Sequence, residues 1–219
     1  MAASRRKFAR REDLGLTKAE FAVLRRLDSP RKIQDFLYHL RQNFEPEGDT
    51  CGSVRVVLRS RRAHCIEGAM LAAAALWVHG EPPLLLDFQA VRDFDHVVAL
   101  YKRRGRWGAL SKTNGPGLRG RDPVYRSLRE LAMTYLHEYA NRRDHKTLRT
   151  YSRPFDLRAM RAADWVTNED NAWDVAERLE ALPHYRLLTP AQERALTRRD
   201  PFERQVGGLL QYRRPRARK

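Results

Sequence analysis

The chain has 219 residues, 42% of them hydrophobic and 32% charged, which is enough apolar content for one sizeable core and excludes a disordered chain. No apolar run approaches the roughly 20 residues that span a bilayer, and no apolar stretch follows the basic start MAASRRKFARRE. Neither a membrane span nor a secretory signal is therefore expected, and the location read from the sequence is cytoplasmic. The formal net charge is +16, but residues 1–11 and 213–219 each carry five cations and no acid, so ten of the sixteen excess charges belong to the two ends.

In chain order, TKAEFAVLRRL opens with Thr17 and Glu20 at capping-box spacing and continues with Phe21, Leu24 and Leu27 at helical intervals. A second helix starts at Ser29 as N-cap and Pro30 at the first position, with Ile33, Phe36, Leu37 and Leu40 on one stripe. The loop EPEGDTCGS leads to VRVVLRSRRA, which fits either a short helix or a strand. A third helix begins at Cys65, is rich in Ala, and ends near Gly80 with Pro82 and Pro83 beyond it.

The pattern then turns to short apolar runs. PLLLDFQA, DHVVALYK and RWGALSK read as three strands, the last two joined in a hairpin around Gly105. NGPGLRGRD is a loop too irregular for a phosphate-binding motif. DPVYRSLRELAMTYLHEYAN predicts a long helix, with Asp122 as cap, Pro123 at its first position, and Leu128, Leu131, Tyr135 and Tyr139 on one side. SRPFDL is extended, and two further helices are predicted in DNAWDVAERLEAL and, from Thr189 and Pro190, TPAQERALTRR. The expected architecture is α+β. Residues 1–16 form a basic flexible tail, 17–150 the core, 151–212 a helical extension and 213–219 a second basic tail.

Cys65 is the residue that invites chemistry. A helix N-terminus lowers a thiol's pKa, and so does a nearby imidazolium. Arg61, Arg62 and His64 precede Cys65, and His96 opens the second strand, where a sheet can carry it to the helix end. His64 reads as a surface residue or a source of local field. Glu67 suits the free N–H groups of the helix start better than acid–base work. Cys51 reads as a packed, idle thiol. Cys51, His64, Cys65 and His96 contain no pair at a recognised metal-ligand spacing, and neither a metal nor a cofactor is called for.

Taken together, RRAHCIEGAMLAAAALWVHG, DHVVALY and GRWGALS resemble the core of the transglutaminase-like superfamily of papain-related cysteine enzymes. The likeness covers roughly residues 30–115 and includes the lead helix RKIQDFLYHLRQNF. It implies a Cys-bearing helix packed on a small antiparallel sheet, with Cys65 as nucleophile and His96 as base. Gly105 to Trp107 match part of a G-x-W-x-x-x-D stretch that ends in the triad's acid. Here Ser111 stands in the acid's place. Ser111 is the first choice to orient the imidazole, then Asn114, then Asp87 on the preceding strand, with Asp93 and Asp95 as further carboxylates. The implied activity is acyl transfer or hydrolysis at an amide or peptide bond through a Cys65 thioester, with the Cys65 N–H as one oxyanion donor. The alternative is a catalytically inactive binding module that contacts nucleic acid or acidic partners through its basic tails. The loop KTNGPGLRGRDPVYR is expected to shape access to the cleft.

Overall fold

The computed structural model describes residues 8–214. The outer parts of both basic tails, residues 1–7 and 215–219, lie outside the described residues.

The N-terminal half is a stack of short helices. These are α1 (Arg11–Leu14), α2 (Lys18–Arg26), α3 (Pro30–His39), α4 (Val54–Ser60) and α5 (Cys65–Val78), with two-residue strands β1 (Arg41–Gln42) and β2 (Arg62–Ala63) interposed. Local chemistry starts them where the sequence indicates: Thr17 and Glu20 close a reciprocal capping box, and Ser29 accepts from the Lys32 N–H. The ambiguous VRVVLRS is helical, with Ser53 as cap and Arg61 at φ 56° ending it. Part of the expected N-terminal tail is not a tail, because Ala9, Leu14 and Leu16 are buried in the core.

The sheet has seven antiparallel strands. These are β3 (Leu84–Ala90), β4 (His96–Arg103), β5 (Arg106–Leu110), β6 (Arg121–Tyr125), β7 (Leu148–Ser152), β8 (Phe155–Asp156) and β9 (His184–Arg186). Their order is β6-β5-β4-β3-β7-β9, with β8 also paired to β3. The β4–β5 hairpin turns through Arg104 and Gly105, both at positive φ (47° and 77°), the backbone that a tight hairpin needs and glycine tolerates. Both faces are buried, and alternate residues divide between them. Leu85, Val97, Ala99 and Leu110 face α5 and its neighbours, whereas Leu86, Phe88, Val98 and Leu100 face Leu131, Tyr135 and Tyr139.

Two further expectations are corrected. The long helix predicted from Asp122 is shortened to α6 (Leu128–Met133), capped by Ser127, because residues 121–125 join the sheet as its edge strand. Pro123 is tolerated there, since an edge strand need not donate from every residue. The predicted packing stripe survives: Leu131, Tyr135 and Tyr139 are all buried. The second correction concerns residues 151–212, which are not a helical appendage. β7 lies across the supposed boundary at 150 and pairs with β3, while β9 pairs with β7. Val175 and Leu179 of α8 (Trp173–Glu180) enter the same core as α5. The chain closes with α7 (Ala162–Trp165) ahead of α8, then α9 (Pro190–Arg194) and α10 (Pro201–Gly207). Among the described residues no helix is long and apolar enough to cross a membrane.

Candidate active site

Cys65 is the first residue of α5, partly exposed to a cleft of about 640 Å³ that His64, His96, Asn114 and Lys112 also line. Two local devices hold it there. β1 and β2 pair in parallel, Gln42 opposite Ala63, and so guide the chain into the helix start. Glu67, only 2% exposed, then pins that start from below. It accepts hydrogen bonds from the His64 N–H (2.9 Å), the Gly52 N–H (2.8 Å), Thr50 Oγ1 (3.1 Å) and Asn43 Nδ2 (3.2 Å). A fully bonded carboxylate at a helix N-terminus is favourable on both counts. The packing beneath is tight: a Cβ on Gly68 would meet Lys112 Cβ at 2.5 Å, so glycine is what lets the chain after β5 pass under the helix.

His64 is part of the site rather than a surface residue. Its Nδ1 lies 3.9 Å from the Cys65 sulfur, and its Nε2 faces the Thr50 carbonyl at 2.9 Å, with Glu45 and Glu67 oxygens at 3.5 and 3.6 Å. Burial disfavours its charge, yet the Cys65 sulfur, Glu67 and the Thr50 carbonyl outweigh burial and push it up to about 9. The Cys65 thiol responds in the opposite sense. Burial would raise its pKa, but hydrogen bonding and charge from His64 and His96 hold it well below the ordinary thiol value. The spacing H-C-x-E could have shown this, because it puts an imidazole and a carboxylate around one helix start.

His96 opens β4 and is buried. Leu110 pairs with Ala99, so Ser111 lies diagonally across from His96 on the same sheet face. The two meet: His96 Nε2 is 2.8 Å from Ser111 Oγ. The direction of that bond follows from the next one. Ser111 Oγ donates its single proton to the Leu118 carbonyl at 2.5 Å, so toward the imidazole it acts as acceptor. Nε2 therefore carries hydrogen, and Nδ1 is the nitrogen left to take up or give a proton. Ser111 is itself clamped. Gln34 of α3 accepts from its N–H at 2.9 Å and donates to its carbonyl at 2.8 Å. No signal in the sequence marks Gln34 for this task.

The other orienting candidates are engaged elsewhere. Asn114 lines the cleft, but its amide pairs with the backbone of Tyr212, donating at 2.9 Å to the carbonyl and accepting at 2.9 Å from the N–H. Asp87 sits 3.1 Å from His184 Nε2, and its backbone N–H donates to Ser152 Oγ at 3.0 Å; burial raises its carboxyl to about 6. Asp93 accepts from Thr147 Oγ1 at 2.7 Å, and Asp95 from the Ala90 N–H at 2.9 Å. Cys51 is fully buried, donates to the Ala172 carbonyl and is pushed up to about 12 by burial and nearby acids. Among the described residues no three His, Cys, Asp or Glu side chains come together as a metal site.

The cleft wall carries Glu45, Asp49, Asp93, Asp95 and Glu138, with Lys112 and the His64 imidazole as its basic groups beside His96. Lys112 is 1% exposed, and burial and then Arg119 lower it to about 8. No protein-family model and no curated protein matches the chain.

Proposed function

We propose that the protein is a cysteine-dependent amide hydrolase or acyltransferase with a transglutaminase-like, papain-related core. The observation that carries this reading is the relay His96–Ser111–Leu118 beside a thiol at the start of α5. It supplies the tautomer control that an acidic third member would otherwise give.

The chemistry then runs as follows. Cys65 Sγ, held as thiolate, adds to the amide carbonyl carbon; the C–S bond forms and the carbonyl electron pair moves to oxygen. The Cys65 N–H, one of the donors that a helix start leaves outside the helix's own ladder, serves as a donor to the growing oxyanion. The oxyanion collapses, the C–N bond breaks, and the imidazolium of His96 protonates the departing amine. The thioester remains. Neutral His96 next removes a proton from water or an acceptor amine, which attacks the thioester and expels the Cys65 thiolate. His64 stays protonated throughout and supplies field rather than protons, because Thr50 and two carboxylates hold its charge.

The test is alkylation of Cys65 by iodoacetamide at mildly acidic pH. Stoichiometric labelling, slowed by His96→Ala, supports the reading. A Cys65 that reacts no faster than a free thiol overturns it and leaves the binding-module alternative.

A further inference from the structure

A second cavity of about 940 Å³ adjoins the cleft and has the opposite electrostatic character. Arg92, Arg142, Arg143, His145, Lys146 and Arg149 line it. The one acid in its wall, Asp93, is occupied by the Thr147 hydroxyl. Of the neighbouring acids, Asp144 is drawn away by Arg199 at 3.2 Å and Arg204 at 2.6 Å, whereas Glu193 pairs with Arg149 of the wall at 3.2 Å and leaves the other cations to set the charge. Among the described residues no carboxylate lies within ion-pair distance of Arg92, Arg142, Arg143 or Lys146. Lys146 is 7% exposed and donates to Thr197 Oγ1 at 3.2 Å. The turn that presents Arg142 and Arg143 is fixed, because Asn141 Oδ1 accepts from the Arg143 N–H (3.0 Å) and the His145 N–H (3.2 Å). Asp93 and Phe94 border both cavities, and Phe94, 89% exposed, forms a lip across which a chain could pass from one to the other.

We propose that this basin is a substrate subsite for the carboxylate side chains of an acidic peptide segment flanking the reactive amide. The inference rests on the proposed amide chemistry at Cys65. Charge pattern favours a peptide over a nucleic acid. A phosphate backbone running through both cavities would have to pass the acidic cleft wall of Glu45, Asp49, Asp95 and Glu138. A peptide changes charge from residue to residue, so it can set acids in the basin and neutral or basic groups over the cleft.

The experiment uses the full chain, its basic ends included, with fluorescein-labelled hexaglutamate and hexaglutamine as probes in anisotropy titrations at about 50 mM salt, where exposed charges are weakly screened. Hexaglutamate should bind and hexaglutamine should not. Arg142→Glu with Arg143→Glu should weaken hexaglutamate by on the order of tenfold or more, since two attractive contacts become repulsive. The double variant should keep the wild-type iodoacetamide rate at Cys65, which reports an intact fold and site. Unchanged hexaglutamate affinity in that variant overturns the subsite and assigns binding to the tails, which it retains. A single-stranded oligothymidylate that binds more tightly than hexaglutamate, and is lost in the same variant, overturns the peptide assignment in favour of nucleic acid. Slow alkylation of wild-type Cys65 would instead sink the catalytic reading while leaving the hexaglutamate result in place.

Discussion

Replacing His64 by Gln removes a positive charge beside the Cys65 sulfur while keeping a side chain able to donate to the Thr50 carbonyl. At the 3.9 Å separation of Cys65 Sγ and His64 Nδ1, unit charges attract by about 4 kcal/mol at an effective dielectric of about 20. That is an upper bound of about 3 pKa units. Glu45 and Glu67, 3.5 and 3.6 Å from the far ring nitrogen, act in wild type and variant alike, whereas solvent reaching the partly exposed Cys65 screens the His64 charge below that bound. A rise of about 2 units in the Cys65 titration is therefore expected. The assay is the pseudo-first-order rate of iodoacetamide alkylation from pH 5 to pH 10. On the acid limb, where both thiols are mostly protonated, the variant should react on the order of tenfold more slowly, since the smaller thiolate fraction is partly offset by the greater reactivity of a more basic thiolate. At pH 10 it should react several-fold faster, because a more basic thiolate is intrinsically more nucleophilic, with a Brønsted slope of about 0.4–0.5. The two profiles thus cross, which general misfolding does not produce. Parallel profiles with a common midpoint would refute the assignment of His64 as the thiolate's partner and leave His96 as the sole source of activation.

Ser111→Ala should behave differently: Cys65 alkylation changes little, whereas turnover on any accepted amide falls by about 10- to 100-fold, the cost of one buried hydrogen bond and an orphaned imidazole N–H. Alkylation lost together with turnover would show that Ser111 supports the fold rather than the imidazole. Asp87 gives a pH signature in stability. Its carboxyl is raised to about 6, so the folded state holds the proton more tightly than the unfolded state. Its contribution is fully present below the unfolded value near 3.8, largely retained at pH 4 and lost as pH rises through 6, on the order of 2–3 kcal/mol. Urea unfolding of wild type and Asp87→Asn at pH 4 and pH 7 should show the wild type losing that much relative to the variant, and a pH-independent difference would contradict it. Gly68→Ala, whose new Cβ would meet Lys112 Cβ at 2.5 Å, should lower stability by about 1–3 kcal/mol in thermal unfolding, despite alanine's better helix propensity. A more stable variant would mean that the chain under α5 yields easily.

Elements specified within a few residues were legible in the sequence. Thr17 with Glu20, Ser29 with Pro30 and Thr189 with Pro190 start helices in the folded chain because a cap and its N–H partner lie within one turn. The Gly105 hairpin and the placement of Cys65 at a helix start are local in the same sense. What the sequence left open is long-range. Asp122-Pro123 carries a sound helix-start signal, yet pairing of Trp107 with Tyr125 and Ala109 with Arg121 turned it into an edge strand. β7 joined the sheet by pairing Phe88 with Tyr151, and β9 by pairing Tyr151 with Tyr185, separations that no short window of the sequence can weigh. The partners that Ser111, Asn114 and Asp87 meet were likewise set by the fold: His96 for the first, Tyr212 for the second, His184 for the third. Residue type limits what a side chain can donate or accept. Only the packed sheet and helices determine which polar group it meets, because each buried polar group must bond whatever the fold brings within about 3 Å.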